Sequence, residues 1–203
     1  MKAKKLLILT LAFSVFGVGA VMASSPWGDF KGFPKVKVNV NNGELTTGDV
    51  PAFIVDGYVV APLKELGHSL QALIRFDSSS SVADVYKPNV HMFVGKEVTK
   101  DGSVKQSFGK VPKGDTVKFV VFAQVDDLQT GIYSFKIEIV DPNGNAVASS
   151  DETVLKDPAD SFWYPWPFEV KFDANGKYKV KFLMKLSEDA PFTVVSEKVI
   201  NAE

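Results

Sequence analysis

The chain has 203 residues, room for one large domain or two small ones, and 45% hydrophobic with 12% aromatic residues provide ample material for a packed core. That content excludes a disordered chain, which lacks the apolar surface to offset chain entropy. The formal charge is -1, and three of the 23 basic residues (Lys2, Lys4 and Lys5) precede the first apolar run, so the rest of the chain is mildly acidic. A chain of that sign does not grip a polyanion, and nucleic acid is excluded as an expected partner.

Residues 1–23 follow the order of a secretory signal peptide. Positive charge runs through Lys5, and an uncharged stretch extends from Leu6 to Ala23, loosened by Gly17 and Gly19. Val21-Met22-Ala23 then offers a small-residue cleavage site before Ser24. The alternative is an uncleaved anchor, because the stretch is nearly long enough to span a bilayer. The sequence contains no cysteine, hence no disulfide, no thiolate and no lipid-acceptor Cys after the signal. No second apolar span follows, so the mature chain is expected to lack a transmembrane segment and to be secreted or held noncovalently at the cell surface.

Residues 24–34, rich in Gly, Pro and aromatic side chains, read as a lead-in. From Lys35 the pattern turns periodic: Val36, Val38 and Val40 alternate with Lys35, Lys37 and Asn39, the signature of a half-buried strand. Asn41-Asn42-Gly43 breaks it with residues that tolerate positive φ. Val50–Val55 and Tyr58–Ala61 are strand candidates joined by Asp56-Gly57, which fits a two-residue type I′ turn. Pro62 opens a short helix, with Leu63, Leu66 and Leu70 at helical spacing. Ala72–Phe76, Val82–Tyr86 and Val90–Val94 return to strand character.

The run from Val36 to Gly95 resembles the copper amine oxidase-like N-terminal domain, a stalk module common in exported proteins of Gram-positive bacteria. The matching features are the turn at Asn42-Gly43, the apolar run ending in Asp56-Gly57, and Val60-Ala61-Pro62-Leu63 opening the helix. Where that family usually has Gly-Ala and then a strand ending in Trp-Asp, this chain has Gln71-Ala72 and Phe76-Asp77. The resemblance implies a five-stranded antiparallel sheet curled around one helix over residues 35–95, without copper. An amine oxidase would need a catalytic domain with three histidines, and this chain has two in all.

Residues 96–115 read as a polar linker. Beyond it Val117, Phe119, Val121, Ala123 and Val125 alternate, as do Phe135, Ile137 and Ile139 up to the turn Asp141-Pro142-Asn143-Gly144. Phe168, Val170 and Phe172 follow, then the turn Asp173-Ala174-Asn175-Gly176. Tyr178, Val180, Phe182 and Met184 form another alternating run, and Phe192–Ile200 the last. Strands at this spacing with turn chemistry between them predict that residues 116–203 form an immunoglobulin-like antiparallel β-sandwich. The fold expected is therefore mainly β, a small α+β stalk module followed by that sandwich.

The candidate chemistry is sparse. His68 and His91 share no ligand spacing, and Ala146 replaces the glycine that a calcium loop starting at Asp141 would need. No Gly-x-Ser-x-Gly elbow occurs, the carboxylates fall in turns, and neither a cofactor nor a metal is expected. The suggestive segment is Phe162-Trp163-Tyr164-Pro165-Trp166-Pro167-Phe168. Its two prolines argue against a central strand, and its adjacent aromatics cannot all face one core. The candidate ligand-binding residues are thus Trp163, Tyr164 and Trp166, which could stack on sugars or fill a partner's pocket. The competing expectation is that the prolines kink an edge strand and the rings cap the end of the sandwich. Lys177, Lys179, Lys181 and Lys185 form a basic stripe that would guard an edge or meet anionic wall polymers.

The expected role is noncatalytic binding or scaffolding at the bacterial cell envelope, the partner being a cell-wall polymer or an extracellular protein. One alternative is carbohydrate binding through the aromatic segment. Another is a proteinase-inhibitor-like module, whose inserting loop could only be Ala148–Asp160.

Overall fold

A computed structural model describes residues 25–157 and 159–203. The expected signal segment 1–23 lies outside the described residues. In chain order the first strands are β1 (Asp29–Phe30), β2 (Phe33–Pro34), β3 (Asn39–Val40), β4 (Gly43–Glu44), β5 (Phe53–Val55) and β6 (Tyr58–Val60). Helix α1 (Leu63–Ser69) and strands β7 (Leu73–Asp77) and β8 (Val82–Tyr86) follow. Then come β9 (Asn89–Val98), β10 (Val104–Ser107), β11 (Lys110–Val111), β12 (Thr116–Asp126) and β13 (Ser134–Val140). The last are β14 (Ala146–Ser149), β15 (Thr153–Val154), β16 (Phe162–Lys171), β17 (Gly176–Lys185) and β18 (Thr193–Ala202).

Two compact units result. The first takes the described residues up to Val38 together with Thr47–Pro62. In it the lead-in is itself a hairpin, β1 against β2, and Phe30 and Phe33 set their rings 5.6 and 5.7 Å from that of Phe53. Strands β5 and β6 pair about Asp56-Gly57, whose φ angles of 49° and 82° are the left-handed pair that a type I′ turn requires. The segment from Val36 to Val38, expected as part of a strand, keeps its alternating burial but joins no ladder, and only Asn39–Val40 forms a strand. It is tied to the unit by a bridge between Lys35 and Phe53 and by the Val36 N–H donating to the Ala52 carbonyl.

The second unit holds Asn39–Thr46 and Leu63–Glu203. Its helix corrects the leucine-face reading: Leu63 and Leu70 are exposed, and the buried position is Gly67. A Cβ on Gly67 would lie 2.3 Å from Ile74 Cδ1, so the absent side chain sets how closely α1 approaches β7. The helix ends in a Schellman motif, with the Ala72 N–H donating to the Gly67 carbonyl at 2.8 Å and the Gln71 N–H to that of His68 at 3.0 Å. In this unit β3–β4 and β7–β8 pair as separate two-stranded ladders rather than within one five-stranded sheet.

The rest is a β-sandwich. One sheet runs β10-β9-β12-β16 and the other β11-β18-β17-β13-β14, with β15 also on β13. Taking β9, β12, β13, β16, β17 and β18 as strands A, B, C, E, F and G gives A-B-E facing G-F-C, the neighbour order of immunoglobulin-type sandwiches. The core is what the alternation predicted. Phe119, Val121, Ala123 and Val125 meet Phe135, Ile137, Ile139, Val180, Phe182 and Met184 between the sheets, all buried. Tyr178 begins the F-equivalent strand, and its hydroxyl accepts from the Ala174 N–H at 3.0 Å, the tyrosine corner of this architecture.

Two boundaries differ from the sequence reading. Residues 96–115 are no linker: β9 pairs with β12 from Asn89 to Gly95 and with β10 beyond it, and β11 runs parallel to β18. Their polarity belongs to edge strands, which carry charge where a second strand would otherwise add. Nor does the helix with β7–β8 form a core of its own, because Leu73 belongs to the sandwich core. Among the described residues no helix is long and apolar enough to cross a membrane.

Candidate ligand-binding face

Strand β16 lies at the edge of its sheet and pairs with β12 without interruption from Phe162 to Lys171. Pro165 and Pro167 are two residues apart, so both ring nitrogens face the same side. Since the ladder with β12 runs through them unbroken, that side is the free edge, where a missing N–H is harmless and further strand addition is blocked. The ladder therefore passes through both prolines without a register shift, on an edge strand as one expectation had it.

Alternation then sorts the aromatic segment. Phe162, Tyr164, Trp166 and Phe168 turn inward, whereas Trp163, Pro165 and Pro167 turn outward. Tyr164 and Trp166 stack on each other at 5.6 Å and pack against the core; Tyr164 also meets Phe135 edge-on at 4.7 Å. The Tyr164 hydroxyl accepts from Thr153 Oγ at 2.9 Å. Of the three residues singled out from sequence, Trp163 is the one presented to solvent, at 67% exposure.

Trp163 is joined on the outer face by residues that the sequence did not flag. The strand register aligns Trp163 with Gln124 and His91, and Pro165 with Phe122 and Phe93 in the next row. Phe93 is 46% exposed and Phe122 is buried beneath it. These rings, with Val104, line an open groove of about 440 Å³. One side is completed by the β9–β10 hairpin, whose Asp101 and Gly102 reach the groove, and Gln124 and Ser107 add polar groups. Gly95 lets that hairpin lie over the sheet: a Cβ there would be 2.5 Å from Val104 Cγ1 and 2.8 Å from the Lys105 carbonyl oxygen.

The polar groups are held in place. Asp101 Oδ1 accepts from the Thr99 hydroxyl and from the Ser103 N–H at 3.2 Å. These donors, Thr99 foremost, hold the carboxyl below its ordinary range, and it is ionised at neutral pH. Gln124 donates its Nε2 to both oxygens of Asp126, at 3.1 and 3.0 Å, which leaves its carbonyl as an acceptor.

The other candidates fall elsewhere. The lysine stripe lies on β17, an inner strand of its sheet rather than an edge to be guarded. It is matched by acids: Lys179 pairs with Glu197 at 3.3 Å, Lys185 with Glu152 at 3.5 Å, and Lys181 sits opposite Glu138 and Glu197 in register. Asp141 accepts from the N–H groups of Asn143 and Asn145, an Asx turn, while Glu152 accepts from Ser134 Oγ at 2.6 Å. Of the Ala148–Asp160 candidate, residues 148–154 are pinned to β13 by β14, β15 and the buried Ser150, whose Oγ accepts from the Ile137 N–H at 2.9 Å. A search of protein-family models finds none that matches the chain, and a search of curated proteins also finds no match.

Proposed function

We propose that this chain is an exported, noncatalytic binding protein of the bacterial cell envelope, and that its binding surface is the outer face of the β10-β9-β12-β16 sheet. The observation that carries the reading is the groove between Phe93 and Trp163. A mostly exposed indole and a second exposed ring that line one groove form a patch a ligand can cover, and tryptophan is among the residues most enriched where binding energy concentrates. Export is supported by the order of charge, apolar run and small residues over 1–23, and a Gram-positive envelope by the stalk-module resemblance. The noncatalytic reading is supported by the groove's lining: among its described residues Asp101 alone carries a carboxyl, whereas glycoside hydrolysis ordinarily takes two.

The reading is tested by cosedimentation with purified Gram-positive cell-wall sacculi. The wild-type protein is expected in the pellet, and a Trp163→Ala variant with an unchanged melting curve in the supernatant. Equal sedimentation of the two proteins would reject the outer face as the binding surface. Carbohydrate is favoured over a protease as partner because the first half of the segment that would have to insert into an enzyme cleft, residues 148–154, is held on β13.

A further inference from the structure

Resting on that binding face, we propose that the groove takes a neutral glycan chain, with the hexose rings stacked on Trp163 and Phe93 and their hydroxyls donating to Asp101 and Gln124. The argument starts from hydrogen-bond polarity. The Asp101 carboxylate can only accept, and two oxygens with four lone pairs exceed what Thr99 and Ser103 use, so acceptor capacity remains for a ligand. Gln124 has both donor and acceptor groups, and because its Nε2 is engaged with both oxygens of Asp126, its carbonyl oxygen is the readier partner for a ligand. Asp101 and Gln124 thus present acceptors, and the Ser107 hydroxyl can accept or donate, so the groove favours a ligand rich in donors.

Hydroxyl groups on a pyranose meet that demand, and the C–H faces of the same rings meet the flat aromatics. A proline-rich peptide would also suit exposed rings, but it brings carbonyl acceptors and few donors, leaving Asp101 and Gln124 unmatched. An anionic polymer is repelled by the Asp101 carboxylate, and the described residues lining the groove include no lysine or arginine. The spacing fits as well. Trp163 and Phe93 stand on β16 and β9 with β12 between them, about two strand spacings or ~10 Å apart, so the two rings can engage different sugar units of one chain. The groove is thus a platform for the interior of an extended chain.

The test titrates the purified protein with chitohexaose, cellohexaose, sodium polygalacturonate and a proline-rich peptide. Readouts are calorimetry and the indole N–H signal of Trp163, assigned with a Trp163→Phe variant. At least one neutral hexasaccharide is expected to bind saturably and shift that signal. Trp163→Ala should weaken it by about tenfold or more, and Asp101→Ala by about five- to tenfold, each with an unchanged melting curve. Binding of only polygalacturonate or the peptide, lost in Trp163→Ala, would overturn the ligand class while leaving the binding face standing. Hexasaccharide binding that survives Trp163→Ala would overturn the groove itself. Silence of the Trp163 signal with all four probes would overturn the proposal.

Discussion

Gln71 holds a backbone conformation that glycine occupies more cheaply. Its φ of 58° is left-handed, at the position just past the end of α1 where the Schellman motif needs that conformation. The structure keeps the turn with a side chain there, and Lys87 Nζ donates to the Gln71 carbonyl at 3.2 Å. The strain of a side chain in the left-handed region exceeds the extra unfolded-state freedom that glycine would bring. Gln71→Gly is therefore expected to raise the unfolding free energy by about 0.5–1 kcal/mol in urea titrations; a loss of stability would mean that the glutamine side chain contributes packing. Trp163 illustrates the reverse case, a residue whose placement was written in the sequence but disguised. Phe168, Val170 and Phe172 read as inward, and extending that parity backwards puts Tyr164 and Trp166 inside and Trp163 outside. Pro165 and Pro167 obscured it, because proline usually ends such a run. Only the pairing with β12 reveals that both prolines spend their missing N–H on the free edge.

At the scale of elements, long strands with one apolar face were legible and short or charged ones were not. Strands β12, β13 and β17 each place a periodic apolar set in the core, so period-two alternation alone located them. Strand β9 concealed itself differently, since it begins with Val90, Met92 and Val94 and continues through Gly95, Lys96 and Glu97, a composition that reads as loop. Its Gly95 is also what allows β10 to lie where it does. Gly95→Ala would press a methyl group into Val104 and into the Lys105 backbone oxygen, which cannot move without displacing the hairpin. The expected result is a loss of about 1–3 kcal/mol of stability by overpacking. Faster amide hydrogen exchange is expected over residues 99–107, with β13 and β17 unchanged. Because Asp101 sits on that hairpin, hexasaccharide affinity should fall together with exchange protection. Unchanged exchange over 99–107 would show that the hairpin does not depend on the glycine.

For the whole molecule, the domain boundary is the point at which sequence and structure part most clearly, and truncation separates them. Composition places the start of the sandwich near residue 116, after a polar stretch; the strand ladders place it earlier, since β12 needs β9 on one side and β18 needs β11. Cutting at 116 removes Leu73, Met92, Val94 and Val111 from the core and leaves β12 as a new edge with Phe119, Val121, Ala123 and Val125 on its inner face. Losing four buried apolar side chains at roughly 2–3 kcal/mol each approaches the entire net stability of an ordinary domain. A chain of residues 116–203 is therefore expected to be unfolded or aggregated. A chain of residues 63–203 keeps α1, the β7–β8 ladder and Leu73 along with both sheets. It is expected to unfold in a single cooperative transition by circular dichroism and to retain the Trp163 groove. If the shorter chain folded cooperatively and the longer did not, the segment before residue 116 would be dispensable to the core, and the outer face of β9 could not be part of a fixed binding site.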